Sequence, residues 1–307
     1  MKSPIIFDGR SAAAGKELDL AFTVTELEDQ HITVTIAAIL FTEDLGSQIY
    51  SEHKKQTAER VGISYQLHPF SIMTNVTEVS ETIEQLNQDS SVTGIIIQKP
   101  TRKTWMAHQT AVPADPKTAY DTWWQSLYKQ VDPAKDVDGL HPSTLAAIES
   151  DTWQEQGRVL PATVEGVLMA LNHPANQAVM EDPATQFVII GRSDLVGQPL
   201  AHLLKNQGRV VELLGKAALQ ERQESGKKLL DADVIVTATG KRDLVTGDMV
   251  KEGAVVIDVG EPRADVEWES VLQKAAFLTP VPGGIGPLTI VCLLENALKL
   301  ARQHAVV

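Results

Sequence analysis

One cysteine, Cys292, stands in 307 residues. An internal disulfide and a zinc site built on thiolates are thereby excluded, and no metal is expected. Basic residues are also short: 27 Lys and Arg against 40 Asp and Glu leave a formal net charge of −13. A nucleic-acid surface needs a basic stripe, so no nucleic acid is expected as partner, although a small pocket for an anionic ligand stays open. No apolar run approaches the roughly 20 residues that span a bilayer, and the opening residues turn polar too soon for a secretory leader. A cytoplasmic protein without a membrane partner is the expectation. Internal repeats, low-complexity tracts and a G-x-G-x-x-G fingerprint are missing as well.

What is present is alternation. Hydrophobic content of 43% and charged content of 22% suit a globular chain long enough for one large core or two ordinary ones. Ser11 is expected to cap a first helix. Ile32–Phe41 is β-branched and nearly continuous, which predicts a strand buried on both faces. A helix from Gly46 through Arg60, a strand over Ile63–Phe70, a helix over Val76–Gln88 and a strand over Val92–Pro100 follow. After Leu160–His173, a helix, a second series begins. It runs through strand Phe187–Gly191, helix Gly197–Gly208, strands Arg209–Leu214, Ala232–Thr239 and Ala254–Gly260, and a closing helix Pro287–Ala305. Such β-α-β order predicts parallel sheets covered by helices, hence two α/β units joined near residues 145–165. Between the series, Thr101–Val131 breaks the pattern and holds three of the five tryptophans, Trp105, Trp123 and Trp124, with Tyr120 and Tyr128. An aromatic-anchored excursion packed on the domain is favoured there over an active-site lid.

In Val188–Leu200, "VIIGRSDLVGQPL", a strand breaks at Gly191 and a helix opens at Gly197. Glycine at a strand's carboxyl end lets the chain reverse tightly beside a ligand, and the next helix points its positive end there. Arg192 and Ser193 add a guanidinium fork and a hydroxyl, so a nucleotide phosphate is the favoured occupant over a plain turn. Glu212, near the next strand's end, suits a ribose hydroxyl, whereas Lys216 just beyond suits a 2′-phosphate. With Arg192 and Ser193, Lys216 inclines the reading to NADP, NAD remaining possible.

"SQIYSEHKK", Ser47–Lys55, puts Tyr50 and Lys54 on one helix face, with Ser47 near its start. A lysine withdrawn from water there can move protons. Taken alone, the spacing fits an ordinary solvated lysine better. Short-chain dehydrogenases use Tyr-x-x-x-Lys, but their nucleotide turn precedes the pair, and here it follows. "KDVDGLHP" sets Asp136 and Asp138 on alternate positions, where two carboxylates converge unless the segment is a simple Asp-Gly turn. "TPVPGGIGPLT", Thr279–Thr289, is stiff at its prolines and bare at its glycines, which suits a planar ligand lying on backbone.

Together with "GIIIQKP", "LPATVEG" and "VVIDVG", these segments resemble, in order and over nearly the whole chain, the bifunctional methylenetetrahydrofolate dehydrogenase/methenyltetrahydrofolate cyclohydrolase family. The resemblance implies two α/β domains flanking a cleft, the C-terminal one a Rossmann-like doubly wound parallel sheet. Residues 1–148 plus 284–307 would form the catalytic folate-binding domain and residues 149–283 the NAD(P)-binding one. It implies Lys54 as catalytic lysine, Tyr50 stacked on folate, Gln98 bonded to the lysine or the reacting centre, and Asp138 on the pterin's amino edge. Ser47, Pro100, Pro282, Gly283 and Gly284 would complete the folate site. Gly191, Arg192, Ser193, Val196, Gly197, Lys216, Thr239, Gly240 and Gly260 would hold the cofactor. A homodimer serving one-carbon metabolism and purine biosynthesis is implied too.

The chain departs from the family pattern in places. Lys99-Pro100-Thr101-Arg102 replaces a Leu-Pro-Leu-Pro-like run, and the connection after it is longer and aromatic-rich. Ala162 and Val164 stand where cysteine and proline are usual, and "ELLGKAAL" replaces a Cys-His-Ser-x-Thr run. These changes leave two alternatives: a monofunctional NAD-dependent dehydrogenase, and a catalytically idle folate- or nucleotide-binding protein.

Overall fold

The computed structural model describes residues 4–261 and 263–305. Contacts divide the chain into two compact units. One comprises the segment through Gly15, Ala147–Thr152 and Pro161–Cys292; the other comprises Lys16–Ala146, Trp153–Leu160 and the chain from Leu293 onward.

The first elements are β1 (Ile5–Ile6), α1 (Gly9–Asp29), β2 (Thr35–Phe41), α2 (Leu45–Arg60), β3 (Ser64–Phe70), α3 (Val76–Gln88) and β4 (Gly94–Gln98). Strands β3, β2 and β4 form a three-stranded sheet in that order, parallel throughout. Central β2 is buried at every position, as its unbroken β-branched run predicts. Asp8, not Ser11, caps α1: the Ser11 N–H donates to the Asp8 carboxylate at 3.0 Å and its hydroxyl at 2.6 Å.

The Trp-rich excursion forms α4 (Arg102–Ala107) and α5 (Pro116–Tyr128). Asp115 accepts from the Lys117 and Thr118 N–H groups, and Pro116 opens α5, so the helix has a strong start. Trp105, Tyr120, Trp124, Leu127 and Tyr128 are buried against Ile39, Phe41, Ile95 and Ile97 of the sheet. The excursion is therefore core, not lid. Trp105→Ala should cost about 3–5 kcal/mol of stability, read from urea denaturation, because a large buried ring leaves a cavity that its neighbours cannot fill.

The remaining elements are α6 (Pro142–Glu149), α7 (Ala162–Leu171), α8 (Gln177–Glu181), β5 (Gln186–Ile190), α9 (Gly197–Asn206), β6 (Val210–Leu214) and α10 (Lys216–Glu224). After them come β7 (Val234–Thr237), β8 (Val255–Asp258), α11 (Trp268–Leu272), β9 (Phe277–Leu278) and α12 (Ile285–His304). Six parallel strands order as β1-β9-β8-β7-β5-β6. The chain runs outward from β5 to β6, then returns to β7 on the other side of β5. That reversal is a topological switch point, where open α/β sheets bind ligands at their carboxyl ends.

The compact units run differently from the sequence-based boundaries of 1–148 with 284–307 and 149–283. The N-terminal segment joins the six-stranded sheet because Ile5 and Ile6 pair with Phe277 and Leu278. Two-residue strands carry no periodic signal, so this pairing has no trace in the sequence. Among the described residues, no helix is long and apolar enough to cross a membrane.

Candidate active site

In the unit built on the three-stranded sheet, α2 turns Ser47, Ser51 and Lys54 inward, the lysine only 3% exposed. Its ammonium donates to Gln98 Oε1 at 3.1 Å and lies 4.8 Å from the centroid of the Tyr50 ring. The Ser47 hydroxyl donates to the Lys99 carbonyl at 3.1 Å, joining the helix start to the end of β4. The Tyr50–Lys54 spacing thus lies on the inward side of α2, with Lys54 buried and not solvated.

Asp136 and Asp138 have separate tasks. The Asp136 carboxylate accepts from the Tyr128 hydroxyl at 2.8 Å, the Leu140 and His141 N–H groups at 3.2 and 2.8 Å, and the Thr144 hydroxyl at 3.3 Å. Those donors commit it to the turn. Asp138 is half-buried; burial pushes its carboxyl up, the Lys54 charge draws it back, and Asp136 pushes it up again. Lys135, beside them, donates to the Leu86 and Asp89 carbonyls and closes the end of α3.

Asp44 joins the pieces. It caps α2 through the Ser47 N–H at 2.9 Å and accepts the Thr101 N–H at 2.8 Å. Burial pushes its carboxyl up, but the Thr104 hydroxyl and the Ser47 and Thr101 N–H groups prevail and hold it at about 2. Against an ordinary value of 3.8, that shift is worth about 2 kcal/mol, present above about pH 4 and lost as pH falls toward 2. Asp44→Asn keeps a competent cap. It should lower stability by that amount at pH 7 and flatten the acid limb of a melting-temperature profile.

In the other unit, Gly191 holds φ at +117°, and a Cβ there would meet the Ala238 carbonyl oxygen at 2.5 Å. A Cβ on Gly197 would lie 1.7 Å from the Gly191 oxygen, so the turn closes only with both glycines. Val196 offers no side-chain acceptor and α9 begins without a side-chain cap, its positive end beside Arg192 and Ser193. The Arg192 stem crosses Gly215, where a Cβ would stand 3.0 Å from its Cδ, and Lys216 follows directly. Glu212 is engaged elsewhere: Arg222 binds its carboxylate and donates to Asp231 at 2.7 Å.

The turns after β7 and β8 are organised by two buried aspartates. Asp265 accepts from the Thr237 hydroxyl at 2.8 Å and from the Thr239 and Lys241 N–H groups at 2.6 and 2.7 Å, which sets Thr239 and Gly240. Asp258 accepts the Gly260 N–H at 2.8 Å; burial pushes its carboxyl up to about 6 against the pull of three backbone donors. Beyond β9, Gly284 is buried, with its N–H donating to the Pro280 carbonyl at 2.8 Å, while Pro282 is exposed. This strip lies against Gly9 and Arg10 in the same unit.

Residues 7–138 match the sequence model of the tetrahydrofolate dehydrogenase/cyclohydrolase catalytic domain, and residues 161–305 that of its NAD(P)-binding domain. The bifunctional protein FolD of Lactobacillus helveticus is 36% identical over 305 residues, covering 97% of this chain and 98% of its own. That of Bacillus subtilis is 34% identical over 307 residues, with the same coverage. Among solved structures, the FolD methylenetetrahydrofolate dehydrogenase/cyclohydrolase of Campylobacter jejuni has a TM-score of 0.82 and 30% identity, covering 98% of this chain and 99% of its own.

The chain belongs to the tetrahydrofolate dehydrogenase/cyclohydrolase family.

Within this family member, Ser47, Tyr50, Lys54, Gln98, Pro100 and Asp138 share one unit. The residues expected to hold the cofactor share the other with Pro282, Gly283 and Gly284. Sequence reading missed Asp44, Ser51 and Tyr65. The Tyr65 phenol, buried on β3, lies 3.4 Å from the Ser51 hydroxyl; burial pushes it up and the Asp138 charge adds to that. Asp44 had a discernible signal, an aspartate three residues before Ser47 at a helix start, whereas Tyr65 had none.

Proposed function

We propose that this chain oxidises 5,10-methylenetetrahydrofolate with NADP to 5,10-methenyltetrahydrofolate and hydrolyses that product to 10-formyltetrahydrofolate. The observation that carries the reading is the buried Lys54 bonded to Gln98 and set over Tyr50. A site that only binds folate, or only transfers hydride, has no need of a buried amine held this way.

The residues present fit a dinucleotide phosphate: a glycine-closed turn at the switch point, an uncapped helix start, an exposed arginine and a serine. Gly191, Ser193, Val196 and Gly197 would hold the pyrophosphate, and Thr239, Gly240 and Gly260 line the ends of β7 and β8. Arg192 and Lys216 flank Gly215 as a 2′-phosphate requires, and Glu212, the acid suited to a bare ribose, is held by Arg222. That favours NADP over NAD. When bound, NADP accepts hydride from the one-carbon unit.

Tyr50 stacks on the folate, Asp138 anchors its amino edge, and Ser47 and Pro100 line it. Hydrolysis then needs proton handling, which alignment alone does not supply. As water adds to the methenyl carbon, it gives up one proton to solvent. The Lys54 ammonium passes a proton to the ring nitrogen as its bond to that carbon breaks, and the neutral amine regains one from the hydroxyl that becomes the formyl carbonyl, so the net reaction releases one proton. Gln98 holds the amine in place. On the same family grounds the enzyme is a cytoplasmic homodimer, which sedimentation of the purified chain tests for its oligomeric part.

Absorbance of purified protein with methylenetetrahydrofolate and either cofactor tests the reading. Reduced NADP appearing without accumulated methenyl product is the expected result. Accumulated methenyl would instead mean a dehydrogenase alone, and binding without turnover an idle protein.

A further inference from the structure

The hydrolytic pair depends on where β4 ends, because Gln98 is its last residue. Each of the next three residues is tied down. The Lys99 carbonyl accepts from Ser47 at 3.1 Å, and the Thr101 N–H donates to Asp44 at 2.8 Å, both from the start of α2. Between them, the Pro100 carbonyl accepts from the hydroxyl of Tyr120, which comes from α5. Side chains alternate across a strand, so Gln98 and Lys99 leave β4 on opposite faces. Gln98 reaches the amine on α2, while the Lys99 ammonium lies 5.3 and 5.0 Å from the ring centroids of Tyr120 and Trp124. The aromatic excursion therefore grips the end of β4 from the face opposite the reacting groups.

Tyr120 is well placed to grip. It is 6% exposed, and its ring packs edge-on against Trp105 at 5.6 Å and tilted against Trp123 at 6.0 Å. A ring so confined cannot swing its hydroxyl away, and a buried hydroxyl is costly without a partner. Pro100 has no N–H and adds no donor of its own to the turn. The phenol is too far along the chain to belong to the usual site segments, and it lies in the stretch where this sequence departs from the family pattern.

We propose that Tyr120 is a positioning residue for the hydrolytic step, holding Gln98 within reach of Lys54 through the Pro100 carbonyl. The proposal rests on the function argued above. Gln98 and Lys54 touch the chemistry; Tyr120 acts on them through backbone.

Tyr120→Phe removes the hydroxyl and keeps the ring, its packing and its contact with Lys99. Its kcat for hydrolysis of added methenyltetrahydrofolate should fall about tenfold, well short of the roughly hundredfold that a full 1 Å misplacement can cost. The KM for that substrate and the rate of NADP reduction should stay within about twofold of the parent, since neither needs the amine held. Trp105→Phe serves as control, thinning the same cluster without touching Pro100; it should lower the melting temperature and leave both rates alone. The proposal is overturned if Tyr120→Phe hydrolyses at the parent rate. It is equally overturned if both activities fall together, or if Trp105→Phe loses hydrolysis to the same degree. A parent protein that turns over neither substrate would sink the proposed function itself, a different result from any of these.

Discussion

Lys54→Met is expected to lose hydrolysis of added methenyltetrahydrofolate by about 10²–10⁴-fold, the range that a positioned proton carrier supplies. Methionine matches the lysine in length and suits a site 3% exposed, so the fold should survive. NADP reduction should persist, because hydride transfer asks for alignment and not for the amine. A second consequence follows from Asp138. Burial and Asp136 both push its carboxyl up, and Lys54 is what draws it down. Without the lysine, Asp138 takes its proton at higher pH than in the parent. The KM for folate in the variant should therefore begin to rise at a higher pH on acidification. A variant whose KM profile overlays the parent's would show that Asp138 does not grip the substrate as an anion.

Arg192→Ala should raise the KM for NADP about 10- to 100-fold, as loss of a charge-assisted bond to phosphate implies. The KM for NAD should barely move, since the group that Arg192 recognises is absent from it. Arg192 is exposed, so the discrimination between cofactors should also shrink in the parent as salt is raised. Gly215 enters through the same contact: a side chain there crowds the Arg192 stem at 3.0 Å. An equal loss with both cofactors would mean that Arg192 serves the shared pyrophosphate instead.

Much of this architecture is legible because it is local. The unbroken β-branched run of Thr35–Phe41 announces a strand covered on both faces, and a strand breaking at Gly191 before a helix announces a ligand turn. Tyr50 and Lys54 share a face by helical spacing alone, but whether that face is wet or buried depends on Gln98, 44 residues away. Spacing cannot report that; resemblance to the family could. Asp136 and Asp138 look equivalent in sequence, and only the four donors gathered around Asp136 separate them. In the excursion, α4 has six residues and one buried ring, too short for a period, whereas Tyr120, Trp124, Leu127 and Tyr128 of α5 do follow helical spacing on one buried face, a signal masked by the broken stretch before it. The pairing of Ile5–Ile6 with Phe277–Leu278 joins opposite ends of the chain through two residues each, beyond any local rule.

The most direct measurement is the fate of the one-carbon unit when Lys54→Met is supplied with methylenetetrahydrofolate and NADP together. Reduced cofactor and methenyl product should accumulate in equal amounts, while the parent delivers reduced cofactor with 10-formyltetrahydrofolate and little methenyl. Formation of 10-formyltetrahydrofolate by the variant at the parent's rate would contradict the account, for the amine would then have no part in hydrolysis.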